Sequence, residues 1–192
     1  MRIVGGTLRG RPLASPKHEG LRPTSDRVRE SLFNILEHGV ADFSLKGTRV
    51  IDLFAGTGAL GLEALSRGAD FCLFVEDEAE ARALIRTNLE AMQLTGKARI
   101  FRRDATNLGD AGTMSAFGLA FLDPPYGKQL GEKALGALAS GRWLAPRAVV
   151  VLEESAGVTV QIPDKFVEID RRTYGDTQVL LARYCANTER TV

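Results

Sequence analysis

The sequence predicts an α/β protein built on a mostly parallel sheet. Three observations predict it. An apolar run rich in β-branched residues, 48–54, passes through a glycine turn into an Ala- and Leu-rich helical stretch, 59–67. Later short apolar runs each deliver an acid at their C-terminal end: Glu76 after 70–75, Asp104 after 98–101 and Asp123 after 117–122. Two alternating segments, 166–172 and 178–184, are joined through Tyr174-Gly175-Asp176 and read as an antiparallel pair that closes the sheet.

A chain of 192 residues suits a single domain with a sizeable core. We divide it into a basic extension, 1–40, and a main core, 41–185. Hydrophobic content of 44% and charged content of 26% are ordinary for a soluble globular chain, and no apolar run approaches the roughly 18 residues of a membrane span. No apolar secretory h-region follows the start. Cys72 and Cys185 are far apart and form no C-x-x-C pair, so neither a zinc site nor a disulfide framework is expected. The expected setting is the cytoplasm, and the expected state a monomer without metal. The net charge of +1 is uneven. Residues 1–30 carry Arg2, Arg9, Arg11, Lys17, Arg22, Arg27 and Arg29 against Glu19, Asp26 and Glu30, which is +4 there and −3 elsewhere. A basic end on a near-neutral body points to a polyanion.

In chain order, 2–13 alternates loosely around Gly5-Gly6 and Gly10 and predicts a small β-hairpin or two short strands. On a strand, Arg9 and Arg11 would share a face. After a loop at 15–20, Arg22-Pro23-Thr24-Ser25 leads into a helix capped by Thr24 or Ser25, with Val28, Leu32, Ile35 and Leu36 as its buried stripe. Arg22 sits on extended chain before a proline, near that helix N-terminus, a place suited to an anion. The helix at 59–67 closes on Gly68. A strand at 70–76 precedes a helix at 78–92, with Asp77 as its cap and Ala79, Ala83, Leu84 and Leu89 toward the sheet. A third strand at 98–101, a fourth at 117–122, a helix at 128–140 and a fifth strand at 148–153 follow. Residues 186–192 read as a frayed tail. His18 and His38 have no metal-ligand or nucleophile partners and read as surface residues.

The stretch 48–63, TRVIDLFAGTGALGLE, organises the chain. Strand, glycine turn and helix begin a βαβ unit of the kind that binds nucleotide-like ligands. Gly56, Gly58 and Gly61 fit G-x-G-x-x-G, with Glu76 at 20 residues after Gly56. That spacing suits a dinucleotide, and the same geometry serves S-adenosylmethionine. Asp52 favours the second ligand, because a carboxylate there repels a pyrophosphate and attracts a cation. The donor-binding set is therefore Asp52, Phe54, Ala55, Gly56 and Gly58, with Glu76 on the ribose hydroxyls, Asp104 on the adenine amine and the Ala105 N–H on the adenine ring. A strand-end acid also caps a following helix, which is the plainer role for Glu76.

Asp123-Pro124-Pro125-Tyr126 is the second signal. Two prolines fix the backbone and remove two donors, which leaves the Pro124 carbonyl able to face a site. That carbonyl and the Asp123 carboxylate match the two hydrogens of a planar exocyclic amine, and Tyr126 offers a face for a base. No hydride-transfer residues or separate substrate domain accompany the glycine motif, as a nicotinamide dehydrogenase would require.

With these motifs in view, the chain resembles the RsmD-like family of bacterial 16S ribosomal RNA guanine-N2 methyltransferases. The resemblance rests on Arg2-Ile3-Val4-Gly5-Gly6, on residues 22–34 (RPTSDRVRESLFN), on 52–68 (DLFAGTGALGLEALSRG) and on Asp123-Pro124-Pro125-Tyr126. It implies a Rossmann-like class I S-adenosylmethionine-dependent methyltransferase fold, a seven-stranded mixed sheet with one antiparallel strand. It implies methyl transfer to guanine 966, in the family's label, of 16S RNA or of the assembling 30S subunit. Asp123, Pro124, Pro125 and Tyr126 would form the catalytic motif, and Arg9, Arg11, Arg22, Thr24 and Arg27 would meet RNA. A DNA adenine-N6 methyltransferase and a non-catalytic RNA-binding module are the alternatives. The first usually needs a target-recognition domain, for which this chain has little room.

Overall fold

The computed structural model describes residues 1–15 and 26–186. Its frame is one seven-stranded sheet of β1 (Arg49–Leu53), β2 (Phe71–Val75), β3 (Ala98–Phe101), β4 (Phe117–Leu122), β5 (Leu144–Ser155), β6 (Phe166–Tyr174) and β7 (Thr177–Tyr184), in spatial order β3-β2-β1-β4-β5-β7-β6. The β1–β2, β2–β3, β1–β4 and β4–β5 pairs are parallel, and β7 runs antiparallel to both neighbours. This is the predicted mixed sheet with its single antiparallel strand. From β1 the chain first winds out to β3 and then crosses back to β4 on the other side of β1. The carboxyl ends of β1 and β4 thus flank the topological switch point, where open α/β sheets bind ligands.

Both faces of β1, β2, β4, β5 and β7 are largely covered, which is why these strands are apolar on both sides, while edge strand β6 is mostly exposed and polar. One layer packs α1 (Asp26–His38), α2 (Ala59–Ser66) and α3 (Ala79–Ala91) on Val50, Cys72, Phe74, Leu119, Phe121, Val149 and Val151. The other packs α4 (Leu130–Ser140) on Ala120, Leu122, Val150 and Leu152. Helix α2 is sandwiched so deeply that every residue from Leu60 to Ser66 is buried. Gly68, at φ 101, ends it as expected. No helix among the described residues is long and apolar enough to cross a membrane.

Four expectations change. The N-terminal hairpin shrinks to one antiparallel bridge, Arg2 to Pro12, around a 3-10 turn at Gly6–Leu8. The Val4 and Gly5 amides, which a second strand would need, are given to the carboxylate of Glu63 on α2 at 2.9 and 2.7 Å. The buried face of α3 is Ala81, Ile85, Asn88 and Leu89, while Ala79 and Ala83 are exposed. A polar residue belongs to that face because Asn88 bonds the Ala14 N–H at 2.7 Å and the Thr57 carbonyl at 3.1 Å. Strand β5 starts at Leu144, which pairs with Phe117 of β4, and runs to Ser155, longer than predicted, because antiparallel β7 carries its pairing past Glu153 through Glu154 and Ser155. Asp77 does not cap α3. The Glu78 N–H is taken instead by the carboxylate of Glu76 at 2.9 Å. In α1 the stripe of Leu32, Ile35 and Leu36 is buried, joined by Phe33 and Arg29, and Val28 packs at its edge. Lys17, His18, Arg22 and Thr24 lie outside the described residues, as does the tail beyond 186.

Candidate active site

The glycine turn hangs from the end of β1. Phe54 at φ 57 reverses the chain, the Ala55 N–H donates to the Val75 carbonyl at 3.2 Å, and the Gly58 N–H donates to the Ala55 carbonyl at 2.7 Å. Gly58, at φ 79, is the N-cap of α2. The glycines do different work. A Cβ on Gly56 would meet nothing nearer than the Phe54 carbonyl at 3.9 Å, so that side of the turn is open. A Cβ on Gly61 would lie 2.4 Å from Phe74 and 2.6 Å from Cys72 Sγ, so only glycine lets α2 close on the sheet. Gly58 is tight at 3.2 Å from Phe74 and sits in the left-handed region. Gly58→Asp is expected to weaken S-adenosylmethionine binding by about 100-fold, the equivalent of about 1–3 kcal/mol of backbone strain plus a misplaced carboxylate. Calorimetry that returned wild-type affinity would remove the turn from the ligand site.

Four carboxylates line the carboxyl edge on one face of the sheet. In the pairing register Leu53 faces Val75 and Leu122, and Leu122 faces Leu152. Asp52 shares its face with Phe74, Phe121 and Val151, and one strand alternation further on come Glu76, Asp123 and Glu153. Asp52 lies lower than the sequence suggested. It is 1% exposed and accepts the Gly61 N–H at 2.9 Å, inside the βα turn rather than bare before a ligand. Burial pushes its carboxyl up to about 8, with the Gly61 N–H opposing and Glu76 reinforcing the rise. Asp52 therefore works in the turn largely as a neutral acid that receives an amide.

The stability consequence has a definite sign. The folded value lies above the unfolded one, so this contribution is complete below about pH 4 and is lost as pH rises through about 8. Asp52→Asn keeps an acceptor for Gly61 and cannot ionise. Its stability relative to wild type should rise by a few kcal/mol between about pH 5 and about pH 9 in urea titrations. A difference that is flat with pH would mean that Asp52 is already charged in the folded protein.

Glu76, partly exposed, accepts the Gly56 N–H at 2.8 Å and the Glu78 N–H at 2.9 Å. It thus ties the glycine turn to the residue that precedes α3, a helix with no side-chain cap, so the plain capping role does not account for it. Each carboxylate oxygen keeps a further lone pair for a hydroxyl donor. Exposed Asp104 accepts both the Thr106 N–H and hydroxyl on Oδ1, at 2.8 and 2.7 Å. Those two bonds hold its carboxyl below the usual range, with the hydroxyl the larger cause. Ala105, beside it, is buried.

The Asp123-Pro124-Pro125-Tyr126 loop leaves the end of β4. Asp123 is half-buried, and its N–H reaches the Leu53 carbonyl at 3.5 Å, beside the start of the glycine turn. Burial, then the charges of Glu153 and Asp52, push the Asp123 carboxyl well above the ordinary carboxylate range. Pro124 is buried and Pro125 exposed. The Tyr126 hydroxyl donates to Glu153 at 2.5 Å and lies 3.2 Å from Thr177 Oγ1, while the Gly127 N–H donates to Glu154 at 3.0 Å. Burial and the Glu153 bond push the phenol up, so it stays a neutral donor.

Glu153, Glu154 and Thr177 were missed in sequence. The available signal was an acidic doublet at the end of Val149-Val150-Val151-Leu152, the same break that picked out Asp52 and Asp123.

The basic extension splits into two kinds of arginine. Arg9, Arg11 and Arg27 are exposed. Arg29, counted with them above, is buried, bonding Asp26 at 2.8 Å and the Arg2 carbonyl and approaching Glu63 at 3.6 Å. It is a structural cation and cannot grip a polyanion. Among the described residues no group of three or more His, Cys, Asp or Glu is placed to hold a metal ion.

A family model described as Conserved hypothetical protein 95 matches residues 1–183. The chain is similar to ribosomal RNA small subunit methyltransferase D of Escherichia coli strain K12, 42% identical over 80% of this chain and 74% of that one. The Haemophilus influenzae protein of the same name is 33% identical over 91% of this chain and 89% of its own. Among solved structures, yhhF from Escherichia coli, a methyltransferase by its given name, superposes with a TM-score of 0.82 at 31% identity, covering 97% of this chain and 99% of that one.

Proposed function

This chain belongs to the Conserved hypothetical protein 95 family, the RsmD-like methyltransferases, and on that premise we propose that it methylates the exocyclic N2 of a guanine in 16S ribosomal RNA. The target would be guanine 966 in the family's label, on free RNA or on the assembling small subunit. That substrate would place the enzyme in the cytoplasm. The observation that carries the proposal is one juxtaposition. The Asp123-Pro124 acceptor pair stands at the end of β4, directly beside the glycine turn at the end of β1, with Leu53 and Leu122 in register.

The residues fit S-adenosylmethionine. The turn is open beside Gly56, Glu76 stands partly exposed at the next strand end, and Asp104 has one oxygen outside its Thr106 bonds. When bound, this donor supplies a methyl group already activated on a sulfonium, so the chemistry needs no metal. Phe54, Ala55, Gly56 and Gly58 would hold its methionine end, Glu76 its ribose, and Asp104 and Ala105 its adenine. Partly exposed Glu76 and exposed Asp104, beside the open turn, favour a cationic ligand.

The acceptor is the harder half. The lone pair of a guanine N2 is delocalised into the ring. Asp123 and the Pro124 carbonyl would each accept one amine hydrogen, which favours a pyramidal nitrogen and aims its lone pair. Catalysis by this chain is then orientation and charge placement. Tyr126, held by its hydroxyl, would present its face to a base taken out of its stack. Arg9, Arg11 and Arg27, with Arg22 and Thr24 of the preceding segment, would meet phosphates, and binding should weaken with salt.

The test offers radiolabelled S-adenosylmethionine with unmodified 16S RNA, assembled small subunits and unmethylated DNA, followed by nucleoside chromatography. N2-methylguanosine from a ribosomal substrate is the expected product. N6-methyladenine from DNA would replace the proposal with the DNA reading. Donor binding without label in any substrate would reject ribosomal RNA as the target.

A further inference from the structure

Strand β5 ends in an acidic doublet with no counterpart in the donor-binding or acceptor motifs. Glu153 and Glu154 are adjacent, so their side chains leave opposite faces of the strand, yet both reach the same loop. Glu154 takes the Gly127 N–H and also the Ser155 N–H at 2.7 Å, which accounts for it as a clamp on loop backbone. Glu153 is different. It is 9% exposed, and its Oε1 lies 2.5 Å from the Tyr126 hydroxyl. By the register of β4 and β5, it stands next to Asp123 on the same face of the sheet. One buried carboxylate therefore touches the stacking ring and neighbours the amine acceptor.

We propose that Glu153 is a positioning residue for methyl transfer: it fixes the Tyr126 ring through the hydroxyl and confronts the Asp123 carboxylate with a second negative charge. The inference rests on the acceptor role given to Asp123 and Tyr126 above. A phenol with a single free hydroxyl rotor swings about its χ1 and χ2. Bonded at once to Glu153 on β5 and Thr177 on β7, it is tethered to two strands outside its own loop. The charge has its own consequence. Asp123 is faced by Asp52 from β1, by Glu153 from β5 and by Tyr126 from its own loop. Two of the three are acids. A like charge at close range raises the proton affinity of the Asp123 carboxylate it faces. A more basic Asp123 carboxylate is a stronger acceptor for amine hydrogens. It also provides a resting place for the proton that the methylated nitrogen must lose: the N–H bond breaks, an Asp123 O–H bond forms, and the nitrogen keeps the electron pair.

The experiment compares wild type, Glu153→Gln and Tyr126→Phe by two readouts. The first is carboxyl-carbon NMR of the free enzyme, with the Asp123 signal assigned by its loss in Asp123→Asn. The second is the pH dependence of methyl transfer to the ribosomal substrate. Glutamine keeps an oxygen for the Tyr126 hydroxyl and removes the charge. The Asp123 titration should move down by about one pH unit, a tenfold fall in proton affinity, and the acidic limb of kcat/KM should move with it. Tyr126→Phe keeps the ring and cuts the tether. It should lower kcat by about tenfold with donor affinity unchanged. An Asp123 titration that stays put in Glu153→Gln overturns the inference, as does wild-type kcat in Tyr126→Phe. A titration that moves while no ribosomal substrate is methylated by wild type instead rejects the proposed substrate and leaves the coupling of the two acids standing.

Discussion

Asp123→Ala is expected to lower kcat for methyl transfer by about 10³-fold while donor binding and folding survive. The magnitude follows from removing a preorganised acceptor aimed at the reacting amine. Folding should survive because this acid is a liability to the native state. It is half-buried between Asp52 and Glu153, and burial with those charges holds its carboxyl high. Removing it relieves repulsion. The backbone bond at this position, from its N–H to the Leu53 carbonyl, does not need the side chain. Asp123→Asn keeps a neutral acceptor and should lose less, about tenfold, since bonds to a charged acceptor are roughly twice as strong as neutral ones. Single-turnover rates at saturating donor, beside calorimetry for the donor, give both quantities. Wild-type turnover in the alanine variant would take Asp123 out of the chemistry altogether.

The sheet was legible because its strands are short, apolar and punctuated. Strands β3 and β4 match their predicted bounds, and β1 and β2 shift by a residue or so at their ends. The glycine spacing and the strand-end acids follow directly from fold geometry, so the sequence located Glu76, Asp104 and Asp123 at one edge. What sequence could not show is how acids share work. Asp52 read as a charge facing a ligand, but the first turn of α2 closes over it and gives it the Gly61 N–H. Glu76 read as a ribose acceptor, and it already holds the Gly56 and Glu78 amides. Such bonds join residues that are close only after folding. The face of α3 was misread for a related reason. Asn88 looks like a solvent residue until the Ala14 and Thr57 backbone arrive to satisfy it.

The same lesson governs residues 62–68, part of one of the stretches that carry the resemblance. The L-E-A-L-S-R-G stretch was read as helix and cap. In the fold it is the receptor for the N-terminus. Glu63 takes the Val4 and Gly5 amides and the Arg67 Nε at 2.8 Å. Ser66 takes the Leu8 N–H at 2.9 Å and donates to the Gly5 carbonyl at 2.6 Å. A Cβ on Gly6 would fall 2.0 Å from the Ser66 carbonyl, so the chain here lies directly on α2. The two motifs thus encode the two halves of one clasp, which fixes the extension carrying Arg9 and Arg11 to the back of the helix that follows the glycine turn.

Glu63→Ala is therefore expected to be strongly destabilising, at about 3–5 kcal/mol. Glu63 is fully buried and faces two cations, Arg29 at 3.6 Å and Arg67 at 2.8 Å, whose side chains are 0% and 8% exposed. Deleting it leaves the Val4 and Gly5 amides without their acceptor and removes the shared counter-charge of two buried guanidiniums. Asp26 still holds Arg29 and Glu37 still holds Arg67, at 2.8 and 2.9 Å, which keeps the loss at the scale of one broken buried pair. For a domain of this size that loss lowers Tm by about 10 °C. Amide exchange at Val4, Gly5 and Leu8 should rise sharply at temperatures where the sheet amides of β1 and β4 remain protected. Ser66→Ala, which removes hydrogen bonds but no charge, should cost about 1–2 kcal/mol and loosen the same amides. A Tm within about 1 °C of wild type in Glu63→Ala would show that the clasp contributes nothing, because at the scale of stability per degree expected here even one lost hydrogen bond moves the midpoint further.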